Sequence, residues 1–284
     1  MSVKTMRWFA LYCLALVIIT IGWPSPLARG QSFQEGVQPY KDNFFLYTRD
    51  WVDHSDHPLQ PDRQAVETRF QFSIRVPMLS TAYFPLFFGY TQKSFWQVFD
   101  KENSSPFREN NYNPEIFLEL FSQSDYSVQI GLWEHESNGQ VPGYSRSWNR
   151  FYIWPRMEFS NASWVALKVW QRYPEEPKTA PEDPKGDDNP FILDTLGYFE
   201  FTFLVPVEHL RFGGMIRKGK ADKEGTFQLD MKFPAQRLLG WAESVIRFST
   251  KTFLFATLFY GFGESLIDYD QQVKKAGIGM AVEF

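Results

Sequence analysis

Arg69-Phe70-Gln71-Phe72-Ser73-Ile74-Arg75-Val76-Pro77-Met78 is the stretch that decides the fold. Phe70, Phe72, Ile74, Val76 and Met78 share one parity, while Arg69, Gln71, Ser73 and Arg75 share the other. Successive side chains of a strand leave from opposite faces, so the run has one apolar and one charged face. It extends over the roughly ten residues that a tilted strand needs to cross a bilayer. The pattern recurs at Phe199, Phe201, Phe203, Val205 and at Phe227, Leu229, Met231, Phe233, with a shorter copy at Val165, Leu167, Val169. A soluble sandwich would show the same alternation with its apolar face inward. Two features favour lipid outside instead. Arg69, Glu200, Asp230 and Lys232 on the opposite parity could line a hydrated lumen, and Ile278, Met280, Val282 and Phe284 end the chain as a barrel-closing strand does.

Twelve strands are expected, around 43–49, 67–78, 83–98, 113–123, 126–138, 146–158, 163–173, 193–206, 208–218, 224–233, 252–262 and 273–284. Long polar links alternate with short turns, and an even count returns both ends to one side. This predicts an all-β, 12-stranded antiparallel transmembrane β-barrel over residues 31–284. One short-turn position breaks the rule. Leu238, Leu239, Ala242, Val245 and Ile246 fall at helical spacing, which predicts an amphipathic helix over 236–248 at the rim.

Composition agrees. Aromatics make up 18% of residues while mean hydropathy is only −0.34, as expected where apolar and polar positions alternate and cancel. A net charge of −4 with no basic run excludes a nucleic-acid binder. Residues 1–30 read as a cleaved signal peptide, with Lys4 and Arg7, an apolar core from Trp8 to Gly22, and Ala28-Arg29-Gly30 as the cleavage site. Cys13, the only cysteine, lies within it, so the mature chain holds neither disulfides nor thiolate zinc sites. His54 and His57, in the run His54-Ser55-Asp56-His57, read as solvated loop histidines rather than a metal pair.

Chemistry concentrates in Glu134 to Arg150. His135 and Ser137 lie two apart, so on a strand both leave from one face, and an imidazole there can take the proton a serine must lose to attack an ester. A hairpin turning at Pro142-Gly143 sets Asn149 opposite His135, where its amide can hold the ring in the useful tautomer. Asn149 shares parity with Phe151, Ile153 and Met157, which puts the group on the lipid-facing side, where polar residues are costly and functional. Val128, Ile130 and Leu132 take the parity opposite to His135 and Ser137, so either a bulge intervenes or those aliphatic residues face the lumen.

The stretches H-x-S-N-G and S-R-S-W-N-R, with Tyr90-Thr91-Gln92-Lys93-Ser94, Ser104-Ser105-Pro106-Phe107-Arg108-Glu109 and Gly261 to Tyr269, resemble the outer-membrane phospholipase A family in order along most of the chain. The resemblance implies a calcium-dependent enzyme of the bacterial outer membrane. It would cleave either acyl ester of a phospholipid, and lysophospholipids too, with Ser137 as nucleophile, His135 as base and Asn149 as orienter. It implies a calcium ion near the backbone N–H of Gly139, held by the Gln140 carbonyl, the Ser145 hydroxyl and Ser104 of a second protomer. Dimerisation would therefore activate the enzyme, with the outward Gln92 at the contact. Asp188 matches one aspartate of the family's second calcium site, but Pro142 replaces the other. The rest of the acidic loop 174–191 reads as solvated. Rival readings are a non-catalytic porin or receptor barrel, and a lipid A deacylase barrel.

Overall fold

The computed structural model describes residues 36–60, 62–79, 85–123, 125–180, 183–221, 224–238 and 251–283. The expected signal peptide, Phe284 and most of the expected 236–248 helix lie outside them. Within them the helical turn Ala235–Leu238 marks where that link begins.

The strands are β1 (Gln38–Pro39), β2 (Asn43–Asp50), β3 (Val66–Leu79), β4 (Leu86–Trp96), β5 (Phe107–Gln123), β6 (Tyr126–Ser137) and β7 (Ser147–Glu158). β8 (Trp164–Arg172), β9 (Phe199–Val207), β10 (Leu210–Lys218), β11 (Gly225–Pro234), β12 (Thr252–Gly261) and β13 (Val273–Val282) complete the sheet. From β2 to β13 each pairs antiparallel with its neighbour in sequence, and β13 returns to β2 from Val282↔Asn43 to Lys275↔Asp50. The result is the closed twelve-stranded barrel that the alternation predicts. β1 is a short extra piece on β3, beyond the end of β2, with Gln38 opposite Arg75. The outer parity is apolar and exposed, as Phe45, Phe72, Phe227, Leu258 and Ile278 show.

The inner parity is not an open channel. Phe87, Phe117, Trp148, Tyr152, Trp170, Ile192 and Leu196 pack into one buried cluster beneath the long-loop end. Here the structure corrects the expected strand 193–206. Ile192–Leu196 forms one helical turn, ending at Gly197 with φ +65°, and the strand starts only at Phe199. Ile192, Thr195 and Leu196 share one face of a helical turn and are all buried, whereas a strand would have put Thr195 on the face opposite to Ile192 and Leu196. β5 likewise begins at Phe107 rather than at 113, because Phe107, Glu109 and Asn111 continue the ladder with β4.

The histidines and the 262–272 link also depart from expectation. His54 and His57 are buried, not solvated. His54 Nε2 lies 3.0 Å from Asp50, and His57 Nε2 lies 3.2 Å from Asp268. The link after β12 folds into the barrel mouth and buries Glu264, Leu266, Ile267 and Asp268. Arg69 and Lys275 pair with Glu264, Lys275 and Arg108 pair with Glu67, and Arg108 and Arg63 pair with Asp268 at 2.8 Å each. Ions taken out of water need such complete pairing, so the network closes the mouth only as a whole.

Burial alone would raise the Asp268 carboxyl. Arg108, a hydrogen bond from His57 and then Arg63 outweigh it and hold the group well below the usual carboxylate range. A depressed carboxyl contributes stability that is fully present above its unfolded value and is lost as pH falls through the folded one. Asp268→Asn should therefore cost about 3–5 kcal/mol at neutral pH, since it takes one of two buried carboxylates from each of Arg63 and Arg108. Denaturant unfolding, followed by heat-modifiable migration, should show that gap narrowing as pH drops below the ordinary carboxylate range.

Candidate active site

One extra residue in β6 settles which way the candidate site faces. Gly131 pairs with Tyr152 and Glu134 with Arg150, so Leu132 and Trp133 on β6 stand against Phe151 alone on β7, and the same slip appears against β5. This is a β-bulge, which re-aims side chains. Before it, Gln129 points inward, where its Oε1 accepts a hydrogen bond from Tyr40, and Val128 and Ile130, buried among their neighbours, take the other parity opposite Pro155 and Ile153. At the bulge Leu132 and Trp133 are both exposed. Beyond it Glu134 turns inward to Arg150 and Lys168, which puts His135 and Ser137 on the outside. Both parities of the run thus place their apolar members outward. Glu136, between His135 and Ser137, points inward and accepts from Trp148 and Arg150.

β6 and β7 form the hairpin, with His135 opposite Asn149 and Ser137 opposite Ser147. His135 Nδ1 lies 3.0 Å from Asn149 Oδ1, which also accepts from the Trp133 indole at 3.1 Å. The Trp133 and His135 rings stack at 5.8 Å with 8° between planes. Asn149 Nδ2 reaches Glu175 Oε1 at 3.4 Å. Neither Trp133 nor Glu175 is singled out by sequence. Trp133 could have been found by its parity with His135, but nothing in an acidic loop marks Glu175.

The hairpin's end is tied by two buried asparagines that sequence also missed. The Asn138 N–H donates to the Arg146 carbonyl, its side-chain oxygen accepts the Arg146 N–H, and its amide nitrogen donates to the Tyr144 carbonyl. Asn189, fully buried, accepts the Ser147 N–H. The loop carrying Asn189 is therefore partly folded rather than solvated. Arg172 pairs with Asp187, Lys178 pairs with Asp188, and Ser145 Oγ donates to Asp188 at 2.7 Å. Ser145 and Asp188 are thus brought together. Gln140 is exposed in the turn, and Ser104 is exposed in the loop between β4 and β5. Gly139 has φ +64°, a left-handed conformation that suits glycine.

A polar row crosses the outer face beside the hairpin. Gln92 pairs with Tyr112 and Tyr112 with Ser137 across three adjacent strands. Within one chain Gln92 accepts from Tyr90 and donates to Ser94, both at 3.1 Å, so its outward amide is not orphaned.

A sequence model of the phospholipase A1 family matches residues 28–282. The chain belongs to this family. Phospholipase A1 of Escherichia coli K12 is 29% identical over 267 residues, covering 85% of this chain and 80% of that protein. Its counterpart in Proteus vulgaris is 30% identical over 269 residues, with the same coverage. Among solved structures, outer membrane phospholipase A from E. coli superposes with a TM-score of 0.72 at 26% identity, over 87% of this chain and 98% of that one. The Salmonella typhi outer membrane phospholipase, solved as a dimer with bound calcium, gives 0.73 at 26% identity over 89% and 94%. The E. coli enzyme has also been solved as an active-site mutant with an asparagine replaced by alanine. The chain is thus a phospholipase of the outer membrane, and the porin and lipid A deacylase readings fall away.

Two glycines of the phospholipase hairpin test how tightly it is set. Both Gly139 and Gly143 have positive φ, but a Cβ on Gly139 would meet the Tyr112 ring at 3.3 Å, while one on Gly143 enters open space. Each alanine should strain the backbone by about 1–2 kcal/mol. Lipid hydrolysis measured side by side should fall further for Gly139→Ala than for Gly143→Ala.

Proposed function

We propose that this phospholipase cleaves acyl esters through Ser137, with His135 as base and Asn149 as orienter, in a calcium-dependent dimer. The observation that carries the reading is the 3.0 Å contact from His135 Nδ1 to Asn149 Oδ1, on the outer face that Ser137 shares. An amide oxygen only accepts, so Nδ1 carries the proton and Nε2 is left free to receive one. Nε2 takes the Ser137 Oγ proton as the oxygen attacks the ester carbonyl carbon. The Gly139 N–H donates to the oxyanion that forms. Collapse of the tetrahedral adduct breaks the ester bond, and His135 returns its proton to the departing lysophospholipid oxygen. Water, deprotonated by the same nitrogen, then releases the fatty acid and restores Ser137. The substrate's esters lie at the boundary of headgroup and acyl chain, and a group on the barrel's outside near its rim meets them there.

The residues present fit a calcium ion. The Gln140 carbonyl and the Ser145 hydroxyl are hard oxygen donors, and the Lys178 ammonium against Asp188 marks that corner as one that accepts positive charge. Gln140 and Ser145 would hold the ion with Ser104 of the partner subunit. When bound it supplies positive charge against the developing oxyanion. Asp188 would serve a second site, where Pro142 brings no carboxylate. The row Gln92–Tyr112–Ser137 supports a dimer contact beside the catalytic serine. Residues 1–30 would be the export signal removed on the way to the membrane.

Ser137→Ala should abolish hydrolysis while the barrel keeps its heat-modifiable migration. His135→Ala should lose roughly two to four decades in turnover, and Asn149→Ala far less, because an orienting amide biases ring geometry without moving the proton. Detergent assays of the three variants check the ordering, and turnover like wild type from Ser137→Ala would overturn the proposal.

A few neutral oxygens on one protomer bind calcium weakly, so ion binding and association should promote each other equally in free energy. Sedimentation across a calcium titration, with hydrolysis in parallel, should show both rising together, and Gln92→Leu should weaken association.

A further inference from the structure

We propose that Glu175 is a positioning residue for the catalytic base: with Trp133 it locks the Asn149 amide in one orientation, and its carboxylate supplies, through that amide, the negative charge that a serine–histidine–asparagine set lacks. This deepens the reading of Ser137, His135 and Asn149 and rests on it.

Asn149 is neutral, and an amide can in principle be turned either way round. Its two neighbours remove the choice. The Trp133 indole N–H can only donate, and it lies 3.1 Å from Oδ1. The Glu175 carboxylate can only accept when ionised, and it lies 3.4 Å from Nδ2. Reversing the amide would set donor against donor at Trp133 and acceptor against acceptor at Glu175. The oxygen is therefore held toward His135 Nδ1, which fixes the proton there and leaves Nε2 for Ser137.

Glu175 is itself held in place. The Tyr173 N–H donates to the Asn149 carbonyl at 2.8 Å, and the Tyr173 hydroxyl donates to the Leu132 carbonyl at 3.0 Å. Pro174 and Pro177 stiffen the chain on either side. The charged groups around the carboxylate are Arg172 on β8, 3.9 Å away, and Asp187 and Asp188 in the same loop. Burial, above all, pushes its proton affinity up and Asp187 and Asp188 add to this, while Arg172 and the Asn149 hydrogen bond pull it down. The carboxylate and the imidazole bond opposite ends of one amide, so an imidazolium on His135 is stabilised through Asn149 by a charge that never touches substrate.

The charge predicts a direction. A carboxylate beyond the amide steadies the imidazolium that forms as His135 takes the Ser137 proton, an interaction made only in the transition state. Removing the charge should therefore lower kcat and leave KM alone. The test uses mature protein in detergent with calcium and phosphatidylcholine mixed micelles, comparing wild type, Glu175→Gln, Glu175→Asp and Ser137→Ala. Glu175→Gln should lose about tenfold in kcat with KM unchanged. Glu175→Asp keeps the charge, so it should recover most of that loss. A wild-type kcat in Glu175→Gln, a loss carried by KM instead, or an equal loss in Glu175→Asp would overturn the proposal. Turnover in Ser137→Ala would instead remove the reading on which it rests, so the two failures are separable.

Discussion

Within hydrocarbon no water can pair a backbone N–H or C=O, so each strand must find all its partners in its neighbours. That constraint closes the sheet, and closure makes parity binding: a side chain faces lipid or lumen according to its position modulo two. The bulge at Gly131–Glu134 is the one local device that lets β6 obey the rule and still change phase. Without it either Val128 and Ile130 or His135 and Ser137 would have to point into the lumen. Gly131 is suited to the place, since any side chain there would run into the buried Tyr152 ring at 2.1 Å. The outward placement of the hairpin chemistry thus depends on a single inserted residue.

The lumen supports the hairpin from behind. Glu134 and Glu136, flanking His135, both turn inward and are held by Arg150, Lys168 and Trp148. Arg150 in turn sits over the Trp148 ring at 3.8 Å. The exterior face of the hairpin therefore stands on an interior of paired ions and packed aromatic rings, and the two residues beside His135 cannot swing out without breaking buried bonds. Rigidity on the lumen side is what lets a group on the lipid side keep its geometry where few contacts surround it.

Much of the barrel was legible because alternation is a strong local signal, and the ladder of strands follows it closely. The twelve strands and their long and short links needed nothing else. What escaped was set by contacts between distant segments. Ile192–Leu196 departs from the strand pattern because its apolar residues fit a core built by Phe87, Phe117 and Trp148 from other strands. His54 and His57 look like loop residues until Asp268, far along the chain, folds back over them. The facing of His135 could be posed but not decided from residues alone, since a bulge leaves no mark in composition. The pairing of His135 with Asn149 was different, because equal spacing from the Pro142-Gly143 turn is enough to place them opposite. Trp133 was visible by parity, while Glu175 reaches Asn149 only through the tethered loop after β8.

The seam between β13 and β2 carries a consequence for how the barrel forms. Every other neighbouring pair of the twelve long strands joins consecutive segments and can form as a local hairpin, but the seam joins Asn43 to Val282, almost opposite ends of the described chain. Its loop-closure entropy is met last, and the rate of assembly should be governed by that single long-range step. Until then both edge strands offer unpaired backbone to any passing chain. A polypeptide that lacks Val273–Val282 would be a sheet with open margins, prone to stick to its own kind. Completion of the last strand therefore decides whether the chain becomes a barrel or an aggregate.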